Sequence, residues 1–369
     1  MPRPIFKPTS EECTMIRFGI LGAGWRSEFY QRVARACADR IEIVGMVGRS
    51  AERAEDVSRR FGVPLYATLD ELARKAQPQF VVVCVSRGQN ESALRALAER
   101  GIPALVETPP AETADELAAL WALERNGLRV QVAEQYWAQP HHAARLALAA
   151  SGRLGRISQA QVSVCHGYHA MSLMRRFLGI GTEPVAVAAR RFASPLVQGP
   201  GRNGPPACEA LGNSTQVIAH FDFGDRLGVY DFCGDMYFSY IRGQRLLVRG
   251  ERGEIVDERA TYLQDVTTPI TVSLTRHSAG INGNLEGNYL KGIQVGDEWL
   301  YHNPLAPAAL SDEEIAIGTC LLRMAEYSQG GEPFYSLAEA AQDRYLDLLM
   351  ESALATGETV RSEPQIWRL

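Results

Sequence analysis

The chain has 369 residues, 46% of them hydrophobic and 22% charged, and a formal net charge of −5 at pH 7. This length predicts two domains, because single hydrophobic cores rarely grow past roughly 250–300 residues. The acidic balance, without any block of Lys and Arg, argues against nucleic acid as a partner. The longest apolar run, "FVVVCV", is far shorter than the ~20 residues of a membrane span, so no membrane partner is expected.

The cysteines and the first residues bear on location. Seven cysteines are scattered with no C-x-x-C pair and no His at metal-ligand spacing, which predicts reduced thiols and no metal site. Residues 1–14 lack the apolar segment and the cleavage site of a secretory signal, so we expect a loose leader before a fold that starts at Met15. The predicted location is the cytoplasm.

The first third of the chain alternates β-branched runs with helical stretches. The segments between the runs carry apolar residues at helical spacing and end at Gly, and the strand-like runs are "IRFGIL", "IEIVGMV", "FVVVCVS", "PALVE" and "LRVQVAEQ". Thr113, followed three residues later by Glu116, predicts a capping box at the start of the last helix. Such alternation predicts βαβ units and a mostly parallel sheet.

After about Tyr136 the pattern changes. A helical segment, "PHHAARLALAASG", leads into longer alternating runs such as "TQVIAHFDFGD" and "QRLLVRGERGEIVD", which are separated by G-D, R-G and E-R-G turns. These runs predict antiparallel strands joined by hairpins. The tail predicts an amphipathic helix that ends at Gly357.

The turn after the first strand reads "GILGAGWRSEFY". Gly22 permits a tight turn and Gly24 permits close approach of a pyrophosphate, which would lie at the N-terminus of the next helix, while Ser27 replaces the third Gly of the usual pattern. This context favours a dinucleotide site over a purely structural turn. Trp25 covers the pyrophosphate, lines the pocket or is structural, and Arg26 is a further candidate for cofactor contact.

The end of the second strand bears on which dinucleotide is bound. An NAD site usually has Asp or Glu here, but this chain has Gly48, followed by Arg49, Ser50 and Arg53. Arg and a hydroxyl can hold a 2′-phosphate by charge-assisted hydrogen bonds, so NADP(H) is the preferred cofactor. If Arg49 instead stacks on adenine or points into solvent, NAD is accepted as well.

Together with the glycine turn, three later stretches carry a family resemblance: "VCVSRGQNESAL", "ALVETPPAETADEL" and "HGYHAMSLMRRFLG". Over nearly its whole length the chain resembles the Gfo/Idh/MocA family, which includes glucose–fructose oxidoreductase and inositol dehydrogenase. The resemblance implies an α/β fold, with an N-terminal Rossmann domain at residues 15–136 and a C-terminal α+β domain at 137–369. It also implies that this second domain has an open, mainly antiparallel sheet that makes a homodimer or homotetramer.

Several motif positions depart from the family pattern. The E-K-P triplet reads Glu107-Thr108-Pro109, so a hydroxyl replaces the lysine that touches both nicotinamide ribose and substrate. A hydroxyl can position a group but supplies no positive charge to a developing alkoxide. The D-x-G-x-H-x-x-D motif keeps its histidine and loses both aspartates. The resemblance implies cofactor contacts at Ser86, Arg87, Asn90, Glu107, Thr108 and Gln135.

His169 matches the family's catalytic histidine, and a histidine can take a hydroxyl proton near neutral pH. We expect His169 to act as proton shuttle and Thr108 as a positioning group. His166 or Tyr168 could take that role instead. Other candidates are Arg175 and Arg176 for stabilising charge, and Asp231, Asp235, Tyr237 and Arg242 for binding sugar hydroxyls.

The leading hypothesis is an NADP- or NAD-dependent oxidoreductase acting on a sugar or cyclitol, or on the corresponding ketone. Two alternatives stay open. One is an enzyme that cleaves glycosides through transient oxidation by a tightly bound NAD. The other is a non-catalytic regulatory protein that binds nicotinamide dinucleotide and has lost the lysine and both aspartates.

Overall fold

The computed structural model describes residues 15–48, 50–202 and 204–368. Its strands and helices, in chain order, are β1 (Ile16–Leu21), α1 (Ser27–Ala36), β2 (Ile41–Val47), α2 (Ala51–Phe61), α3 (Leu69–Ala76), β3 (Phe80–Val83), α4 (Asn90–Ala98), β4 (Ala104–Val106), α5 (Ala114–Arg125), β5 (Val130–Val132), α6 (Pro140–Ala150), β6 (Ile157–Ser163), α7 (Gly167–Leu178), β7 (Ala186–Val197), β8 (Leu211–Asp222), β9 (Leu227–Cys233), β10 (Arg245–Gly250), β11 (Gly253–Val256), β12 (Arg259–Leu263), β13 (Pro269–Ser278), β14 (Leu290–Val295), β15 (Glu298–His302), α8 (Asp312–Ser328), α9 (Leu337–Thr356) and β16 (Val360–Arg361).

The chain divides into two units, neither of them one continuous segment. The first contains the described residues up to Ala143 together with Arg276–Gln294 and Trp299–Ala341. The second contains Ala144–Thr275, Val295–Glu298 and the residues from Gln342 onward. The boundary expected between residues 136 and 137 stays a prediction.

The first unit contains a five-stranded parallel sheet in the order β2-β1-β3-β4-β5. Strands β3 and β4 are buried along their whole length, as expected where helices cover both faces of a parallel sheet. The predicted parallel sheet is confirmed, and α5 begins with the expected capping box of Thr113 and Glu116. Because β1 pairs with β2 on one side and β3 on the other, the chain reverses its direction of winding at β1. A crevice for a ligand lies at the carboxyl ends of such strands.

The second unit contains a sheet in the order β13-β12-β11-β10-β6-β9-β8-β7-β16. Its neighbouring strands are antiparallel except for the parallel pair β6 and β9. The predicted, mainly antiparallel sheet is confirmed. Helix α7 packs against β6 and β9 and is buried over nearly its whole length, so a polar side chain on it lies in a desolvated environment.

Among the described residues no helix is long and apolar enough to cross a membrane. Six of the cysteines fall within the described ranges, and none of these six forms a disulfide. All but Cys208 are buried.

Candidate functional site

The two glycines of the loop between β1 and α1 differ in their surroundings. Gly22 has φ +112°, and a Cβ there would lie 2.3 Å from the carbonyl oxygen of Cys84 at the end of β3. Within 4 Å, a Cβ on Gly24 would meet the same oxygen, at an ordinary contact distance of 3.7 Å, and no other described atom outside the neighbouring residues. The fold therefore requires glycine at position 22, whereas the space beside Gly24 is left open by the protein.

Two neighbours shape this loop. The hydroxyl of Ser27, which is buried, donates to the carbonyl oxygen of Gly24 at 2.7 Å and so holds the loop against the first turn of α1. Trp25 is 47% exposed and packs edge-on against Phe29, with 4.9 Å between ring centroids. The loop is thus anchored from inside and carries an aromatic side chain on its outer side.

A polar cluster surrounds Arg26; it consists of Arg26, Tyr30, Glu107, Gln135 and Glu313 and is called the Arg26 cluster below. The guanidinium donates from Nε to Glu107 at 3.0 Å and from Nη1 to Glu313 at 2.5 Å. The Tyr30 hydroxyl donates to the same oxygen of Glu107 at 2.5 Å. Burial opposes the charge on Arg26, but Glu107, Tyr30 and Glu313 outweigh it and raise the pKa of Arg26. Burial and Glu107 raise the pKa of Tyr30 well above its usual value.

The E-T-P triplet is held by the same cluster. Thr108 is half-buried, and its backbone N–H donates to the second carboxylate oxygen of Glu107 at 3.4 Å. Oriented to match its neighbours, the Gln135 amide donates to the carbonyl of Ala133 and accepts from Arg26, each at 2.9 Å. The cation of Arg26 is therefore fully engaged with protein groups, and Glu107 has a structural task beside any contact with a cofactor.

The end of β3 presents Ser86, Arg87 and Asn90. The Asn90 side chain is buried and donates to the carbonyl of Pro110 at 2.9 Å, while its Oδ1 accepts no hydrogen bond within the described part of the chain. Ser86 is exposed, and the side chain of Arg87 lies outside the described part of the structure. Asn90 thus connects this strand end to the E-T-P segment, and its Oδ1 can accept a hydrogen bond from a ligand.

The end of β2 explains the missing acidic residue in terms of packing. A Cβ on Gly48 would lie 2.6 Å from the Cβ of Ala54 on α2 and 3.2 Å from the Cβ of Ala23. An aspartate or glutamate at position 48 therefore requires α2 to move. Ser50 caps α2 by accepting from the backbone N–H of Arg53 at 3.5 Å, and the Arg53 side chain is exposed. Arg49 lies outside the described residues.

In the second unit, the start of α7 brings three predicted residues together. His169 is 7% exposed, and its ring centroid lies 4.9 Å from that of His166 and 5.4 Å from that of Tyr168. The backbone N–H of His166 donates to the Tyr237 hydroxyl at 2.9 Å, and its Nδ1 lies 2.5 Å from the same oxygen. Residues that can hold or pass a proton are therefore concentrated at one helix end.

An acidic group at this site, Asp347, was not predicted from the sequence. A Cβ on Gly167 would lie 2.0 Å from Oδ1 of Asp347 and 2.7 Å from its Cγ, so the carboxylate of α9 contacts the first turn of α7. The N–H of Gly167 donates to the Tyr230 hydroxyl at 3.1 Å. Burial raises the pKa of Asp347 to about 6, although Arg344 opposes this effect. We call His166, Gly167, His169, Tyr230 and Asp347 the His169 cluster.

The remaining candidates are distributed over the second unit. Arg175 is buried and pairs with Asp343 at 2.7 Å, which indicates a structural ion pair.

Asp231, suggested for sugar hydroxyls, accepts hydrogen bonds from Gln161, Gln216 and Arg245. Asp235 accepts a hydrogen bond from the Ser214 hydroxyl at 2.6 Å. Of the two remaining arginines, Arg176 on α7 is half-buried and Arg242 is exposed. Of the residues suggested for sugar hydroxyls, Tyr237 lies beside the His169 cluster through its contact with His166.

Comparison with known proteins identifies what this chain is similar to. Residues 16–134 match the family model GFO_IDH_MocA, described as an oxidoreductase family with an NAD-binding Rossmann fold. An uncharacterized oxidoreductase, ORF334 of Rhizobium meliloti, is 30% identical over 152 residues. That match covers 40% of this chain, and the chain spans 45% of the length of this curated relative.

Solved structures resemble the whole described fold. A levoglucosan dehydrogenase in complex with NADH and levoglucosan has a TM-score of 0.67 at 16% identity, over 95% of this chain and 100% of the other. A putative myo-inositol dehydrogenase from Sinorhizobium meliloti 1021 has a TM-score of 0.61 at 17% identity, over 94% and 99%. At such identities the likeness shows a shared fold. Residues 16–134 are thus a Rossmann domain of the kind that the GFO_IDH_MocA oxidoreductase family model describes.

Proposed function

We propose that the protein is an NAD(P)-dependent dehydrogenase or reductase that acts on a CH–OH carbon of a sugar, cyclitol or related polyol, or on the corresponding ketone. The observation that carries this proposal is the open space beside Gly24, in a loop whose other glycine is required by packing. A pyrophosphate needs such space, and the N-terminus of α1 favours its negative charge. The polyol class is supported by the fold shared with levoglucosan and putative myo-inositol dehydrogenases.

The residues present fit a dinucleotide. Gly22 and Gly24 would hold the pyrophosphate, with Trp25 beside it, while Arg26 and Ser27 keep the loop in place. Asn90 has a buried acceptor with no hydrogen-bond donor among the described residues, as expected of a residue that contacts a ligand. When bound, the nicotinamide supplies the hydride acceptor or donor.

His169 carries the proton in this proposal. In oxidation it takes the proton of the substrate hydroxyl, and in reduction it returns that proton to the ketone oxygen. His166 and Tyr168 pack against the His169 ring and are the alternative carriers of this proton. The homodimer or homotetramer through the sheet of the second unit also remains part of this proposal.

NADP(H) is the proposed preference. Gly48 has no room for a carboxylate, so nothing at this position repels a 2′-phosphate. Ser50 and the exposed Arg53 at the start of α2 are then available to bind the phosphate, together with the helix N-terminus.

Calorimetric titration with NADP(H) and NAD(H), followed by a sugar and cyclitol panel monitored at the nicotinamide absorbance, tests the proposal. We expect binding, turnover of at least one polyol, and loss of turnover by about 10²-fold or more in His169→Ala with unchanged cofactor binding. His220→Ala, at an exposed position on β8, is the matched control and should keep its activity. A protein that binds neither dinucleotide would refute the proposal.

A second candidate function is a cofactor-binding protein without catalysis. It is favoured by Thr108 in place of lysine and by the engagement of Arg26 with two carboxylates, which leaves no cation for a developing alkoxide in the Arg26 cluster. Binding without turnover, and without any effect of His169→Ala, would support this alternative. Cleavage of a glycoside with no net change in cofactor would instead indicate elimination through transient oxidation.

A further inference from the structure

We propose that Asp347 is the positioning residue of His169: its carboxylate selects the tautomer and the orientation of the imidazole that handles the substrate proton. The inference builds on the proposed function, which gives His169 its role. It assigns a task to a helix, α9, that the sequence motifs leave unassigned.

Helices α7 and α9 approach each other closely at Gly167 and Asp347. Both oxygens of Asp347 would lie within 3 Å of a Cβ on Gly167, at 2.0 Å and 2.9 Å, so the first turn of α7 is built around this carboxylate. Position 167 is two residues before His169 on the same turn. Glycine there leaves the space that the carboxylate occupies.

Charged and polar groups of three elements surround the carboxylate of Asp347. Arg344 and Glu351 act on it from α9, His169 acts on it from α7, and Tyr230 faces it from β9. His166, Tyr168 and Tyr237 pack around the imidazole side of the cluster. Burial raises the pKa of Asp347 to about 6, so near neutral pH the carboxylate is ionised but poorly solvated. A poorly solvated carboxylate strongly favours an imidazole that presents an N–H to it.

The competing interpretation is an internal ion pair of α9. Arg344 contacts Asp347 at 2.5 Å, three residues away on the helix, and also Glu351 at 2.7 Å. An ion pair alone needs no approach to α7 and no glycine at position 167. Glu351 has the same charge and the same arginine partner but is 51% exposed, which makes it a matched control.

The test compares Asp347→Asn with Glu351→Gln. Nitrogen-15 histidine NMR at pH 8, with the His169 signals identified by their loss in His169→Gln, gives the tautomer ratio of His169 without any need for activity. We expect a predominant tautomer in the wild type and in Glu351→Gln, and a mixed population in Asp347→Asn. In the same proteins kcat should fall about tenfold or more in Asp347→Asn, with KM for the cofactor unchanged.

An unchanged tautomer ratio in Asp347→Asn overturns the proposal, and so does an equal change in Glu351→Gln. Gly167→Ala, whose added methyl displaces the carboxylate while keeping it in the chain, should shift the ratio in the same direction as Asp347→Asn. If the wild type turns over no polyol, the dehydrogenase proposal fails, but the tautomer comparison still decides the role of Asp347.

Discussion

The Arg26 cluster and the His169 cluster are both buried and polar, yet their charges are arranged in opposite ways. In the first, one cation meets two carboxylates and a tyrosine hydroxyl, and the pKa of Arg26 rises further above neutral pH. In the second, burial raises the pKa of Asp347 to about 6, close to the usual pKa of a histidine side chain.

This difference separates two tasks. A cluster in which each charged group contacts an opposite charge keeps one protonation state over a wide pH range, so it fixes geometry. A cluster with a desolvated acid beside a histidine changes its protonation near neutral pH, which suits proton transfer. We therefore assign support of the glycine loop and the E-T-P segment to the Arg26 cluster, and proton handling to the His169 cluster.

The largest effect is expected from Glu107→Ala, which removes the more buried carboxylate of the Arg26 cluster. Arg26 would keep only one carboxylate partner, Glu313, whose side chain is 40% exposed, and Tyr30 would lose its acceptor. We expect the free energy of unfolding at pH 7, measured by urea denaturation, to fall by about 3–5 kcal/mol. The control Glu313→Ala, which removes the exposed partner, should cost clearly less. Equal losses in the two variants would contradict the assignment.

The effect of Asp347→Asn on stability should depend on pH. The pKa of this carboxyl is 3.8 in the reference state and about 6 in the fold, so the folded protein binds the proton more tightly. The wild type therefore loses stability as pH rises from 4 to 6, whereas asparagine does not titrate. Relative to the wild type, the stability of Asp347→Asn should rise by about 2.4 kcal/mol between pH 4 and pH 7, since one pKa unit corresponds to about 1.4 kcal/mol and the reference carboxyl is already partly ionised at pH 4. Urea denaturation at both pH values measures the difference in unfolding free energy between the variant and the wild type. A difference that does not change with pH would contradict the raised pKa of Asp347.

The two loop glycines should separate stability from cofactor binding. Gly22→Ala puts a Cβ against Cys84 and strains the backbone, so we expect a loss of about 2 kcal/mol in unfolding free energy. Gly24→Ala fits the protein but fills the open space, so stability should stay within about 0.5 kcal/mol while NADPH affinity falls about tenfold. Thermal melting and calorimetry give the two quantities. Normal NADPH binding by Gly24→Ala would remove the main support for the dinucleotide site.

The smallest effect is expected from Arg53→Ala at the start of α2. Loss of one charge-assisted hydrogen bond should weaken NADPH binding about tenfold and leave NADH binding unchanged. Arg59→Ala, an exposed residue of the same helix that pairs with Asp56, is the matched control. If NADPH and NADH respond equally to Arg53→Ala, this residue does not read the 2′-phosphate.

Local patterns in the sequence were sufficient for the element types, the parallel sheet, the antiparallel sheet and the capping box at Thr113. They also singled out His166, Tyr168 and His169, which the structure places side by side because they follow one another on one helical turn. Periodicity and turn chemistry act over a few residues, so the sequence reports them directly.

Tertiary structure alone decided which distant residues meet. Nothing in the pattern around Asp347 distinguishes it from other polar residues of an amphipathic helix, yet Gly167 is glycine because that carboxylate needs the space. Likewise, Glu313 reaches Arg26 because α8 packs against α1, and Gly48 excludes a carboxylate because Ala54 occupies its side-chain volume. Contacts of this kind join segments far apart in the chain. They depend on how whole elements pack rather than on any local periodicity. They determine that the buried charge of Arg26 is paired with carboxylates and that the pKa of Asp347 is raised toward neutral pH.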